Sequence, residues 1–257
     1  MSNERVRAKK HLGQHFLKDK RIAAAIVDSL DAGECDAVIE VGPGMGVLTQ
    51  FLVERNFPSL KVVEIDAESV DYLQNNIEGI DQIIRGDFLE LDLQPLGRHI
   101  AVIGNFPYNI SSQIFFRILD NRDRVTEVTC MVQKEVAERI CSAPGSRVYG
   151  ILSVLLKAWY DIEYLFTVSE NVFSPPPKVK SAVIHLKRNA RASLDCDEKL
   201  FFSVVKRCFN QRRKMIRNPV KMMVNADAGS MPLLSLRAEQ LTVEQFAELT
   251  NWVAGHR

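Results

Sequence analysis

Long apolar runs are missing from this chain. The stretch Ile151–Leu156 is of core size, well short of the roughly 18 residues that would suggest a membrane helix, so no membrane association is expected. No apolar segment opens the chain, and a cytoplasmic location is expected. Cysteines stand at positions 35, 130, 141, 196 and 208, without a CxxC pair. That spacing argues against a disulfide framework or a zinc site and for a reducing compartment. His11 and His15 have the i, i+4 spacing of a helical metal pair, but Gly13 lies between them and no acid or thiol is near, so no metal is expected. Internal repeats and low-complexity tracts are absent as well.

Net charge is nearly absent too, at +1 over 257 residues, yet its distribution is uneven. Residues 1–21 carry +5 and residues 199–221 carry +8, leaving −12 on the other 213. Two basic segments on an otherwise acidic body suggest a polyanionic partner. The second segment interleaves Phe201, Phe202, Phe209, Met215 and Ile216 with its charges, the pattern of a helix with one packed side and one basic side.

With 46% hydrophobic residues, the chain can bury one large core and a small second one. Apolar strands at Ala37–Val41, Lys61–Asp66, Ile83–Arg85, Ile100–Ile103 and Thr126–Val132 alternate with helical spacing at Lys20–Leu30, Leu48–Arg55, Ala67–Asn76, Ser111–Leu119 and Lys134–Cys141. Such alternation predicts an α/β fold with a mainly parallel sheet covered on both faces. Trp159–Val168 and Ser181–Lys187 read as two further strands with no helix between them, predicting an antiparallel pair at the sheet edge. From about Leu194 the pattern turns helical, at Leu200–Phe209, Lys214–Met223 and Val243–Val253. A domain boundary is expected near Arg191, dividing residues 1–191 from a small all-α domain, 192–257.

Strand ends carry the candidate chemistry. The first strand runs into Gly42-Pro43-Gly44-Met45-Gly46, a loop that lets backbone approach a ligand, with Val47 where a dinucleotide fold needs its third glycine. That argues against NAD. Glu64 and Asp87 follow at the ends of the next two strands, and Asn105 at the end of the fourth. All four ends then face one crevice, where open α/β sheets bind ligands. Asn105-Phe106-Pro107-Tyr108 offers an amide oxygen and the Pro107 carbonyl as acceptors for an exocyclic amino group, with the Tyr108 ring to cover a base. The lone pair of an adenine N6 is delocalised into the ring, and two acceptors favouring a pyramidal nitrogen would return it to the reacting position.

These ordered features resemble the class I S-adenosylmethionine-dependent methyltransferases. Six motifs in order, Gly13–Leu17, Val41–Gly44, Gly104–Asn109, Gln133–Val136, Phe173–Val179 and Phe209–Lys214, resemble the KsgA family over nearly the whole chain. The resemblance implies a Rossmann-like sheet, S-adenosyl-L-methionine as cofactor, and N6,N6-dimethylation of two adjacent adenines in the 3′-terminal hairpin loop of 16S ribosomal RNA. It implies cofactor contacts at His15, Leu17, Gly42, Glu64, Asp87 and Asn105, with Glu64 on the ribose and Asp87 on the cofactor's adenine. It also implies that Phe173 stacks on the target base opposite Tyr108, completing a catalytic set with Asn105 and Pro107. Residues 1–191 become a cofactor-binding catalytic domain with a basic N-terminal arm, and 192–257 an RNA-binding domain. The expected partner is small-subunit ribosomal RNA in an immature 30S particle, met by a monomer. His15 and Phe106 depart from the family's usual Asn and Leu. Three alternatives stay open: an erythromycin-resistance-type enzyme acting on 23S RNA, a DNA adenine methyltransferase, and a non-catalytic ribosome-assembly factor.

Overall fold

The computed structural model describes residues 6–225 and 229–257, so the first five residues of the basic arm lie outside it. The chain divides into two compact units, one of residues 1–137 and 162–188, the other of 138–161 and 189–257. Among the described residues no helix is long and apolar enough to cross a membrane.

The first unit opens with a 3₁₀ turn at Lys10–Leu12 and the two-residue strand β1, Phe16–Leu17. Helix α1, Lys20–Asp28, starts where the Asp19 carboxylate accepts the Arg21 N–H at 2.9 Å. Then follow β2 (Ala37–Val41), α2 (Thr49–Leu52), β3 (Leu60–Glu64), α3 (Ala67–Asn76), β4 (Gln82–Arg85), β5 (Ile100–Asn105), α4 (Ser111–Asp120) and β6 (Val125–Gln133). After α5 (Lys134–Cys141) and α6 (Ile151–Lys157) come β7 (Tyr160–Val168), the short β8 (Phe173–Ser174) and β9 (Ser181–Arg188). Seven strands form one sheet in the order β4-β3-β2-β5-β6-β9-β7. The first five are mutually parallel, β9 runs antiparallel to β6, and β7 lies outside it at the edge. Every residue of β2 is buried, as a central parallel strand covered on both faces requires. Strand order reverses at β2, which pairs with β3 on one side and β5 on the other. The crevice opens at that reversal.

A second, two-stranded sheet pairs β1 with β8, setting Phe16 opposite Ser174 and Leu17 opposite Phe173. Two residues per strand carry no readable periodicity, so the sequence reading missed this sheet.

In the second unit, α7 (Glu198–Asn210), α8 (Arg217–Val220) and α9 (Val243–Gly255) pack with α6. Asp197 caps α7 at 2.7 Å, and Thr242 with Gln245 forms a capping box on α9. Trp159 stacks on Phe202 with ring centres 5.7 Å apart, and Phe209 lies between Tyr149 and Phe246 at 6.1 and 5.9 Å. Residues 138–161, assigned by the sequence reading to the first domain, group with these helices because α6 and Trp159 supply part of their apolar core. The expected helix Lys214–Met223 shrinks to the single turn of α8. Lys214 closes a turn onto Gln211, and Met215 bridges to Arg237, so the backbone before α8 is already engaged.

Candidate active site

Glycine loop geometry comes first. Gly42, Gly44 and Gly46 all have positive φ, at 68°, 56° and 73°. A Cβ at Gly46 would stand 2.0 Å from Ile77 Cδ1, and one at Gly44 2.8 Å from the Phe16 ring, so the loop is tight as well as left-handed. Glu64 locks this loop to the neighbouring strand: its Oε2 accepts the Gly44 N–H at 3.0 Å and its Oε1 the Asp66 N–H at 2.9 Å. The Glu64 carboxyl is 4% exposed, and burial raises its pKa against those two backbone donors.

A cavity of about 240 Å³ lies over the strand ends. His15, Gly42, Glu64, Asp87, Asn105, Pro107 and Tyr108 all line it, so seven of the residues expected from sequence converge there. An adjoining cavity of about 820 Å³ shares Phe16, Gly42 and Asn105 with the first and adds Leu17, Glu40, Ser174 and Pro175.

Asn105 stands where the two cavities meet. Its Nδ2 donates to the His15 carbonyl at 3.0 Å, while its Oδ1 is buried with no hydrogen-bond partner among the described residues. A buried acceptor left unpaired in a folded protein marks a place for a donor from outside. The Pro107 carbonyl accepts from Ile110 N–H at 3.2 Å and keeps a second lone pair. Tyr108 is held by a hydrogen bond between its hydroxyl and that of Ser181, and burial raises its pKa against that bond. Asp87 uses Oδ1 to accept the Leu89 N–H at 2.9 Å.

Residues 9–17 strap the first cavity. The Lys9 ammonium pairs with Asp66 and, at 3.1 Å, with Glu68. The side chain of Gln14 accepts the Lys9 N–H at 2.8 Å, and His15 Nδ1 donates to the Pro175 carbonyl at 2.8 Å. The His15 ring lies 5.4 Å from that of Tyr108, tilted by 30°. Phe106, the second departure from the family pattern, is fully buried with its ring edge-on to Phe115 at 5.8 Å.

Phe173 stands apart from the other expected residues. It is 1% exposed, lines neither cavity, and belongs to the buried apolar cluster of Leu17, Ile103, Met131 and Val183. Pairing of β8 with β1 turns this side chain into the core and leaves Ser174 and Pro175 at the cavity wall. Leu17, expected as a cofactor contact, lines the second cavity but not the first. Sequence reasoning also passed over Ile65 and Phe88, which line the first cavity, Ile65 with half its surface exposed. A large apolar residue directly after the strand-end acid was the available signal.

The family model described as ribosomal RNA adenine dimethylase matches residues 5–255. A protein of Parabacteroides distasonis called ribosomal RNA small subunit methyltransferase A is 58% identical over 249 residues, covering 95% of this chain and 93% of the relative. A protein of the same name from Flavobacterium johnsoniae is 55% identical, covering 96% of each. Among solved structures, a dimethyladenosine transferase from Plasmodium falciparum matches with a TM-score of 0.75 at 22% identity, covering 91% of this chain and 96% of that one. The 23S rRNA methyltransferase ErmE matches with a TM-score of 0.68 at 24% identity, covering 93% and 99%. At those identities the two structures speak for the fold alone.

Proposed function

Since the chain belongs to the ribosomal RNA adenine dimethylase family, we propose how its own residues carry out methyl transfer to adenine N6 of small-subunit ribosomal RNA. S-adenosylmethionine is the cofactor, and when bound it supplies an electrophilic methyl group on a sulfonium whose leaving group is a neutral thioether. The cradle fits it. Three left-handed glycines admit backbone contact, Glu64 presents a carboxylate edge for ribose hydroxyls, and Asp87 keeps one oxygen for the cofactor's adenine amino group. His15 and Gly42 close the same cavity, and Leu17 acts from the adjoining one.

Target adenine meets the cofactor at Asn105, where the two cavities join. Asn105 Oδ1 and the Pro107 carbonyl accept its two N6 protons, and Tyr108 covers one ring face. Acceptance by two oxygens localises the lone pair on N6 and aims it at the methyl group. No side chain is required as general base, because the methylated nitrogen is acidic enough to lose its proton to water or to these acceptors.

The observation that carries this reading is the orphaned Asn105 Oδ1 at the junction of the two cavities. Asn105→Ala should lower the rate of methyl transfer by roughly 10²-fold or more, the usual effect of losing a hydrogen bond made in the transition state. RNA affinity should stay within a factor of two or so. Tritium transfer from labelled cofactor to small subunits, with filter binding of RNA in parallel, measures both, and a variant with near-normal turnover overturns the assignment. In finer detail, the substrate is the 3′-terminal hairpin loop carrying two adjacent adenines, within an immature 30S particle, and the enzyme acts as a monomer. Residues 192–257 supply RNA affinity. Mature and immature subunits as alternative substrates in the same assay test that finer reading.

A further inference from the structure

Ser181 is polar in a place that otherwise holds apolar side chains. It opens β9 opposite Gln133 of β6, ahead of the buried Ala182, Val183 and Ile184, and is itself fully buried. A hydroxyl in such a place is costly unless it is paired. Among the described residues its side-chain partner is the Tyr108 hydroxyl, 73 positions earlier. Tyr108 is already tied at its backbone end. Phe106 N–H donates to the Met131 carbonyl at 3.0 Å, and the Ser111 hydroxyl donates to the Tyr108 carbonyl at 3.4 Å where α4 begins. These contacts leave the ring free to swing about its Cα–Cβ bond. The Ser181 hydroxyl removes that freedom by holding the far end of the ring, the phenol oxygen. His15, whose ring lies 5.4 Å from that of Tyr108, is tied in turn by the Pro175 carbonyl at 2.8 Å. Residues 175–181 thus reach two rings of the first cavity's wall, and the Lys180 carbonyl anchors them to the sheet by accepting the Lys134 N–H at 2.9 Å.

We propose that Ser181 is a positioning residue for methyl transfer: its hydroxyl sets the tilt of the Tyr108 ring, and so the plane in which the adenine lies when N6 faces the methyl group. This rests on reading Tyr108 as the cover of the target base. In-line displacement is sensitive to that plane. A base tipped by a loose ring still binds, but its N6 lone pair points past the methyl carbon. Asn105 Oδ1 and the Pro107 carbonyl then no longer accept both N6 protons at once. Ser181 touches neither substrate. It acts on the rate of the bound complex and not on the affinity for cofactor or RNA.

Transfer from labelled S-adenosylmethionine to small subunits, with both substrates saturating, reads kcat. Ser181→Ala should lower it about tenfold, with KM for RNA and calorimetric cofactor affinity within about twofold of wild type. Tyr108→Phe removes the same hydrogen bond from the other side while keeping the ring, and should do likewise. The double variant Ser181→Ala/Tyr108→Phe should be no slower than either single one, because one interaction is lost only once. A residue serving stability alone would move the thermal melt and leave kcat in place. Ser181→Ala with wild-type kcat, or losses in the single variants that multiply in the double one, overturns the proposal. Should Ser181→Ala fail to fold, Tyr108→Phe carries the test, and near-normal turnover there overturns the proposal as well. Tyr108→Ala separates the two readings. It should be slower than Tyr108→Phe, and wild-type turnover in Tyr108→Ala would instead refute Tyr108 as the cover of the base.

Discussion

At the scale of single residues, Asn105 and Phe173 show opposite fates for side chains chosen on the same grounds. Both were selected as neighbours of a flat base. Asn105 ends a strand, and its amide oxygen reaches the cavity junction with no partner among the described residues. Phe173 begins a strand whose register with β1 sends it inward, among Leu17, Ile103 and Met131. There it packs in the core. Phe173→Ala should lower stability by about 3–5 kcal/mol, read from urea denaturation, because a fully buried phenyl ring leaves a cavity. Cofactor and RNA affinities of the folded fraction should change little. A variant as stable as the wild type with impaired RNA turnover would restore the stacking role.

Elements set the geometry of the glycine loop. β2 delivers Gly42 at the strand-order reversal, and α2 begins immediately after the loop, so the chain must turn within a few residues against Ile77 and Phe16. Gly46 and Gly86 both lie at this crevice but differ in what surrounds them. At Gly46 a Cβ would meet Ile77 Cδ1 at 2.0 Å with φ at +73°; at Gly86 there is nothing within 4 Å. Gly46→Ala should destabilise the protein by about 1–3 kcal/mol, the scale of one residue forced into a sparsely populated conformation. Gly86→Ala should be neutral to within about 0.5 kcal/mol. Thermal melts of the two variants side by side make the comparison, and equal losses would refute it.

On the scale of the whole molecule, charge is the organising quantity. Within the second unit Arg207 and Arg212 are committed internally, to the Pro219 carbonyl at 2.8 Å and to the Ser146 and Arg147 carbonyls. Arg213, Lys214, Arg217 and Lys221 are exposed. These exposed cations are available to phosphates, as is exposed Lys199. RNA affinity should fall steeply with salt, and replacing Arg213 and Lys214 together by Gln should reduce the log–log slope by about 1–2. Binding measured between low and physiological salt tests this. An unchanged slope would move RNA binding away from this segment.

Sequence by itself determined the order of strands and helices, the glycine loop and the strand-end acids. These depend on local apolar periodicity and on residues whose backbone or side-chain chemistry acts at short range, as at Ala37–Val41, Gly42–Gly46 and Glu64. Tertiary structure alone decided the rest. Pairing of Phe16–Leu17 with Phe173–Ser174 joins residues more than 150 positions apart, and no local pattern encodes that register. The same holds for the strap that Lys9 ties to Asp66, for the grouping of 138–161 with the C-terminal helices, and for Glu40. Glu40 reads as one acid in an apolar strand; only the packed sheet buries it and so raises its pKa.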